Sequence, residues 1–152
     1  MINFHDSKKS KKKNKEDSSV GGDCGKLIHS ITFGKDKSFW WGLRKDNSIY
    51  IVRKFNSSKG IMHSKKVVTD MEINKINIFM GNKEWKDLAN NVEKLSNGNE
   101  KNGLGRFLFE KLDWSTTDCQ LAGHLGVIFT ISGVWEYNGI KRGANPTFCI
   151  FS

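Results

Sequence analysis

Between Leu27 and Val68 the chain alternates β-branched and aromatic runs with short polar clusters, and this punctuation constrains the fold more than any other feature. Leu27 to Phe33 and Phe39 to Arg44 flank Gly34-Lys35-Asp36-Lys37, a set of residues suited to a turn. Lys45-Asp46-Asn47 then leads into Ser48 to Phe55, where Ile49, Tyr50, Ile51 and Val52 favour a pleated, buried strand in a central position. A further turn over Asn56 to Gly60 precedes Ile61 to Val68, the fourth expected strand. The expectation is an antiparallel sheet of three to four strands.

The chain beyond the sheet reads as helical. Thr69-Asp70-Met71-Glu72 has capping-box spacing, with Ile73, Ile76 and Met80 at near-helical intervals before Gly81. A strand competes here, because Ile76, Ile78 and Met80 also alternate. Asn82 is expected to cap a helix that places Trp85, Leu88, Ala89, Val92 and Leu95 on one face. A polar loop, Ser96 to Gly103, is the expected internal boundary. Beyond it, Leu104, Phe107, Leu108 and Leu112 line one helix, and Ser115 to Asp118 start another that runs through Phe129 to a stop at Gly133. Asn138-Gly139 is the pair favoured in a two-residue type I′ turn, so Val134 to Tyr137 and Ile140 to Arg142 are expected to form a hairpin. Thr147 to Phe151 would add an edge strand. The fold class is therefore α+β: an N-terminal antiparallel sheet, amphipathic helices and a C-terminal β-hairpin. The C-terminal half also has a winged-helix order, with Asn82–Leu95, Leu104–Leu112 and Thr116–Ser132 as three helices and the hairpin as the wing.

Residues 1–25 contain almost no core-forming side chains, and six lysines, Lys8, Lys9, Lys11, Lys12, Lys13 and Lys15, fall within eight positions. They read as a disordered arm ahead of the domain. Residues 26–95 hold the sheet and its helix, and residues 104–152 the helical segment with the hairpin; the two segments are expected to form one compact domain. At 152 residues the chain is long enough for a single core to stabilise it, without help from disulfides or a structural metal.

Charge indicates the class of partner. Twenty-five lysines and arginines against 16 acids give a net charge of +9, a surface that attracts polyanions. With 21 lysines and only four arginines, phosphate contact is expected rather than base reading, because bidentate recognition of base edges favours the guanidinium fork. Cys24, Cys119 and Cys149 are widely spaced and form neither a disulfide framework nor a zinc motif, which fits a reducing compartment. Residues 1–6 lack an apolar secretory stretch, and the longest apolar run, Leu121 to Gly133, is too short to cross a membrane. The expected location is cytoplasmic, or nuclear in a eukaryote, with no membrane partner.

Aromatic and basic side chains interleave over Phe39, Trp40, Trp41, Arg44, Lys45, Tyr50, Arg53, Lys54 and Phe55. Such a face suits nucleic acid, since bases stack on rings while cations follow phosphates. Side chains alternate across a strand, so Trp40 and Trp41 point to opposite faces; unless both faces are covered, one indole meets solvent or ligand. The expected nucleic-acid-binding set is thus the arm lysines with Trp40, Trp41, Arg44, Tyr50, Arg53 and Lys54, joined by Lys141 and Arg142 on the hairpin. This makes the chain a non-enzymatic nucleic-acid-binding protein, with DNA favoured over RNA. A protein-interaction module that uses the same aromatic face is the alternative. A metal-dependent nuclease built on Asp70, Glu84 and Lys86 is third, although Glu84 in a first helical turn needs no catalytic explanation. His5, His29, His63 and His124 show no paired spacing, so no cofactor, metal site or catalytic residue is assigned.

Overall fold

The computed structural model describes residues 26–139 and 147–150, the last four as backbone. The lysine arm and the strand expected over Ile140 to Arg142 lie outside the described residues. The architecture is α+β, and the chain divides into two compact units. Of the described residues, one unit holds 26–31 and 37–73; the other holds 32–36 and those from Asn74 onward.

The first unit is a four-stranded antiparallel meander in sequential order: β1 (Ile28–Ile31), β2 (Ser38–Leu43), β3 (Ile49–Ser57) and β4 (Gly60–Val68). Its turns are made by the residues the sequence offers. In the β2–β3 turn Asn47 adopts φ 69°, and Asp46 Oδ1 accepts bonds from Ser48 N at 3.0 Å and Ser48 Oγ at 2.5 Å. Those two bonds hold the Asp46 carboxyl below the usual aspartate range, because they favour its charged form. At the β3–β4 turn Ser57 lies opposite Gly60, Ser57 Oγ accepts from Lys59 N at 3.1 Å, and Gly60 takes φ 107°. One face of the sheet is the core face. Phe39, Trp41, Ile49, Ile51 and Val68 are buried there, each removed from water for about 1.5–3 kcal/mol of stabilisation.

Helix α1 (Asp70–Met80) starts in the first unit and ends in the second. Its capping box forms as expected: Thr69 Oγ1 accepts from Glu72 N at 3.1 Å, and Glu72 Oε1 accepts from Thr69 N at 3.0 Å. Helix wins over strand for a reason visible in burial. Ile76 and Met80 are fully buried while Ile78 is 79% exposed, whereas alternation would have put all three on one face.

The helix expected over Asn82 to Leu95 is not formed, and this is the main correction to the sequence reading. Lys83 and Ala89 take positive φ values of 64° and 45°, which an α-helix cannot hold. Asn82 Oδ1 accepts from Glu84 N at 3.2 Å, closing a local turn instead of capping a helix. The segment contributes a two-residue strand, β5 (Lys86–Asp87), and Trp85 is exposed rather than facing a core. Helix α2 covers only Val92–Asn97, capped by Asn91 Oδ1, which accepts from Lys94 N at 2.9 Å. The cause is packing from further along the chain. Gly103 and Gly105 lie directly against the backbone of Asp87, Ala89 and Asn90, and Gly105 N donates to Leu88 O at 2.6 Å. An extended strip bonded in this way outcompetes a helical period that is present in the sequence. The winged-helix order accordingly has a first helix of only six residues.

Helix α3 (Leu104–Lys111) stays near its expected bounds, whereas the single helix expected from Ser115 to Gly133 is two, α4 (Thr116–Cys119) and α5 (Leu121–Ile131), meeting at Gln120, with Ser115 capping α4 through its bond from Asp118 N at 3.0 Å. Leu121, Ala122, Leu125, Val127, Ile128 and Phe129 of α5 are all buried, so it is a core helix. Strand β6 (Trp135–Tyr137) places the fully buried Trp135 against Phe129 at 4.7 Å between ring centroids, with the indole N–H donated to Asn77 Oδ1 at 2.7 Å. Also within this unit, Phe33 stacks on Tyr137 at 4.1 Å.

Among the described residues an antiparallel pair closes the C-terminal part. β6 pairs with β7 (Thr147–Ile150) in the register Trp135 to Ile150 and Tyr137 to Phe148, and the sheet order is β5-β7-β6. The strand expected at an edge is therefore the middle one. Gly139 takes φ 81°, but Asn138 is not among the residues with positive φ, so the pair does not make the type I′ turn, which requires both.

Candidate functional site

The face of the first sheet opposite the core face carries the candidate site. Register places His29, Trp40, Val52 and Lys65 in one row across all four strands, with Lys54 and His63 paired in the next row. Strands lie about 4.8 Å apart, so the row spans about 14 Å. Trp40 is half-buried at its centre, with the His29 ring tilted against it at 5.2 Å and Lys54 Nζ 5.3 Å from the ring centroid. An ammonium over an indole face is a cation–π contact, and it keeps the Lys54 charge beside the ring.

Strands β1–β4 contain four lysines and arginines, Arg53, Lys54, Lys65 and Lys66, and no acid. Charge between residues 26 and 139 is divided in the same sense: residues 26–69 hold ten lysines and arginines against two acids, while residues 70–139 hold seven against ten. Within that range the basic excess belongs to the strands and turns of the first sheet, where it acts on an anionic partner.

The structure separates the expected set by face. Trp40, Tyr50 and Lys54 lie on the face just described, whereas Trp41 and Arg53 lie on the core face. Trp41 is 2% exposed and donates its indole N–H to Ser30 Oγ at 3.1 Å. Tyr50, opposite Gly42, is also buried, so neither ring offers a stacking surface. Arg44 is half-buried at the start of the β2–β3 turn, where its backbone N–H is donated to Ser48 O at 2.9 Å. The arm lysines, Lys141 and Arg142 fall outside the described residues. Three members of the face were missed in the sequence: His29, His63 and Lys65. Counting alternation outward from Trp40 through paired strands would have found them, had the register been known.

In the second unit Trp85, Glu136, Tyr137 and Asn138 line a shallow, open depression of about 570 Å³. Burial pushes the Tyr137 phenol above its ordinary pKa. Two of the three residues considered for nuclease chemistry have local partners: Glu84 Oε1 accepts from Asn82 Nδ2 at 3.2 Å, and Lys86 Nζ bonds Asn82 Oδ1 and lies 5.3 Å from the Phe79 ring centroid, while Asp70 lies in the first turn of α1. Among the described residues no three His, Cys, Asp or Glu side chains are grouped to hold a metal ion, and no helix is long and apolar enough to cross a membrane. No protein-family model matches the chain, and neither a curated protein nor a solved structure shows significant similarity to it.

Proposed function

We propose that this protein is a non-enzymatic nucleic-acid-binding protein, with DNA as the first partner to test. The observation that carries the reading is Trp40: a partly exposed indole on an acid-free sheet face, with Lys54 against its ring and Lys65 in its row. A single strand laid across this face would stack a base on the indole while its phosphates meet the lysines. Lys-rich contact of this kind is tolerant of sequence, since the ammonium is a point charge and rings accept any base.

Binding of a fluorescein-labelled single-stranded oligonucleotide tests it. Trp40→Ala is expected to weaken affinity about tenfold, because base stacking on one ring contributes about 1–3 kcal/mol, and Trp40→Phe is expected to recover part of the loss. Equal affinity in Trp40→Ala and the parent would remove the stacking role.

A protein-interaction module is the second reading, favoured by Ile31 and Ile61, which are exposed on the same face as Trp40. A partner bound chiefly through these apolar side chains would show little salt dependence, unlike a phosphate backbone.

A further inference from the structure

The hairpin formed by β3 and β4 outruns the rest of its sheet. β2 pairs with β3 only as far as Phe39 opposite Arg53, yet β3 and β4 continue for four more pairs, from Lys54 with His63 to Ser57 with Gly60. At about 3.4 Å per residue this free ribbon extends about 14 Å, more than the depth of about 8 Å of a nucleic-acid groove. Its end is apolar as well as basic. Phe55 and Met62 are cross-strand partners on one side and are 51% and 42% exposed, while Ile61 on the other side is 62% exposed. From Ile49 to Val68 there are five lysines and arginines and no acid. The tip is held in shape by the Ser57 hydroxyl, which accepts from Lys59 N and donates to Gly60 O at 3.0 Å.

Resting on the nucleic-acid reading above, we propose that the β3–β4 hairpin is a wedge for duplex DNA. Lys54, Lys59 and Lys65 follow the phosphates at the groove edges while Phe55 and Met62 enter a base step, part its stack and kink the helix axis. The occupant is set by charge and shape together. A two-stranded ribbon fits a groove, and apolar wedges inserted between base steps kink duplexes by 20–90°. A second copy of this chain is a poor occupant of the hairpin, because pairing edge to edge along β4 would join two strands that each carry Lys65 and Lys66 and no acid to offset them.

A duplex of about 30 base pairs carrying a fluorophore pair at its ends provides the test, run beside the single-stranded oligonucleotide on the full chain. The parent should raise end-to-end energy transfer at saturation. Phe55→Ser with Met62→Ser should abolish that rise while leaving single-strand affinity within twofold of the parent, and Phe55→Leu should retain it. Both replaced side chains are exposed, and circular dichroism and the unfolding midpoint of the double variant should match the parent. Unchanged transfer with the bound parent, or a parent-like rise in the double variant, overturns the wedge while leaving single-strand binding in place. Binding to vesicles of anionic phospholipid, lost in the double variant and unaccompanied by duplex bending, would overturn it in favour of a membrane role. Failure of the parent to bind either oligonucleotide or duplex would overturn the wedge and the function beneath it together.

Discussion

Replacing Gly105 by alanine should destabilise the protein, although it lies inside a helix. Propensity alone gives the opposite sign, since alanine is favoured over glycine in a helix, by up to about 1 kcal/mol for a first-turn position such as this. Here the added Cβ would sit on the Ala89 carbonyl oxygen, 2.6 Å from Asn90 Cβ and 2.7 Å from Asn90 Cα. Two of those three atoms are backbone, held by the bond from Gly105 N to Leu88 O, so no flexible chain end can swing aside. Overpacking a fitted site costs about 1–3 kcal/mol and occasionally more. The severe geometry belongs at the upper end, and after the propensity gain the net loss should be about 2 kcal/mol. Gly123→Ala is the control, because its Cβ would meet only Leu88 Cδ1 at 3.8 Å, an ordinary contact. That variant should be neutral or more stable by up to about 1 kcal/mol. Urea unfolding followed by circular dichroism measures both. Gly105→Ala matching or exceeding the parent would refute the account of why residues 82–91 are not helical.

Three further outcomes are expected. Thr69→Ala, which removes the acceptor for Glu72 N, should cost about 1 kcal/mol of stability in the same assay. Trp135→Phe should cost about 2 kcal/mol, since it empties part of a fully buried site and leaves Asn77 without its indole donor; a loss under about 0.5 kcal/mol would contradict that packing. The Asp46 carboxyl has a lowered pKa in the folded state, so its contribution is fully present above the unfolded aspartate value near pH ~4 and is lost as pH falls through the folded value. Stability of the parent relative to Asp46→Ala, measured from pH ~7 downward, should therefore be greatest at neutral pH and fall to a pH-independent value in acid.

The first sheet was legible because its signals are local. Turn residues between Phe33 and Phe39, Arg44 and Ser48, and Phe55 and Ile61 bound runs whose β-branched and aromatic content suits a pleated surface. The capping box at Thr69 was legible for the same reason. Residues 82–95 were not, because their apolar period is truly helical and the packing that overrides it lies beyond them, in Gly103 and Gly105. The hairpin from Val134 was half legible: Gly139 does take positive φ, yet the partner of Tyr137 is Phe148, a pairing no turn motif announces. At the site, strand alternation separated Trp40 from Trp41, with Trp41 as the buried indole. The projecting hairpin tip went unread because Phe55 and Met62 look like core residues until the shorter reach of β2 is known.

The salt dependence of single-stranded oligonucleotide binding separates a phosphate-binding sheet face from an apolar one. Each phosphate neutralised on a single strand contributes about −0.7 to the slope of log K against log salt concentration. Lys54→Ala with Lys65→Ala should therefore make the slope shallower by about 1.4, whereas Trp40→Ala should lower affinity and leave the slope unchanged. A parent slope near zero, or a slope unaltered by loss of both lysines, would contradict a phosphate-binding sheet face.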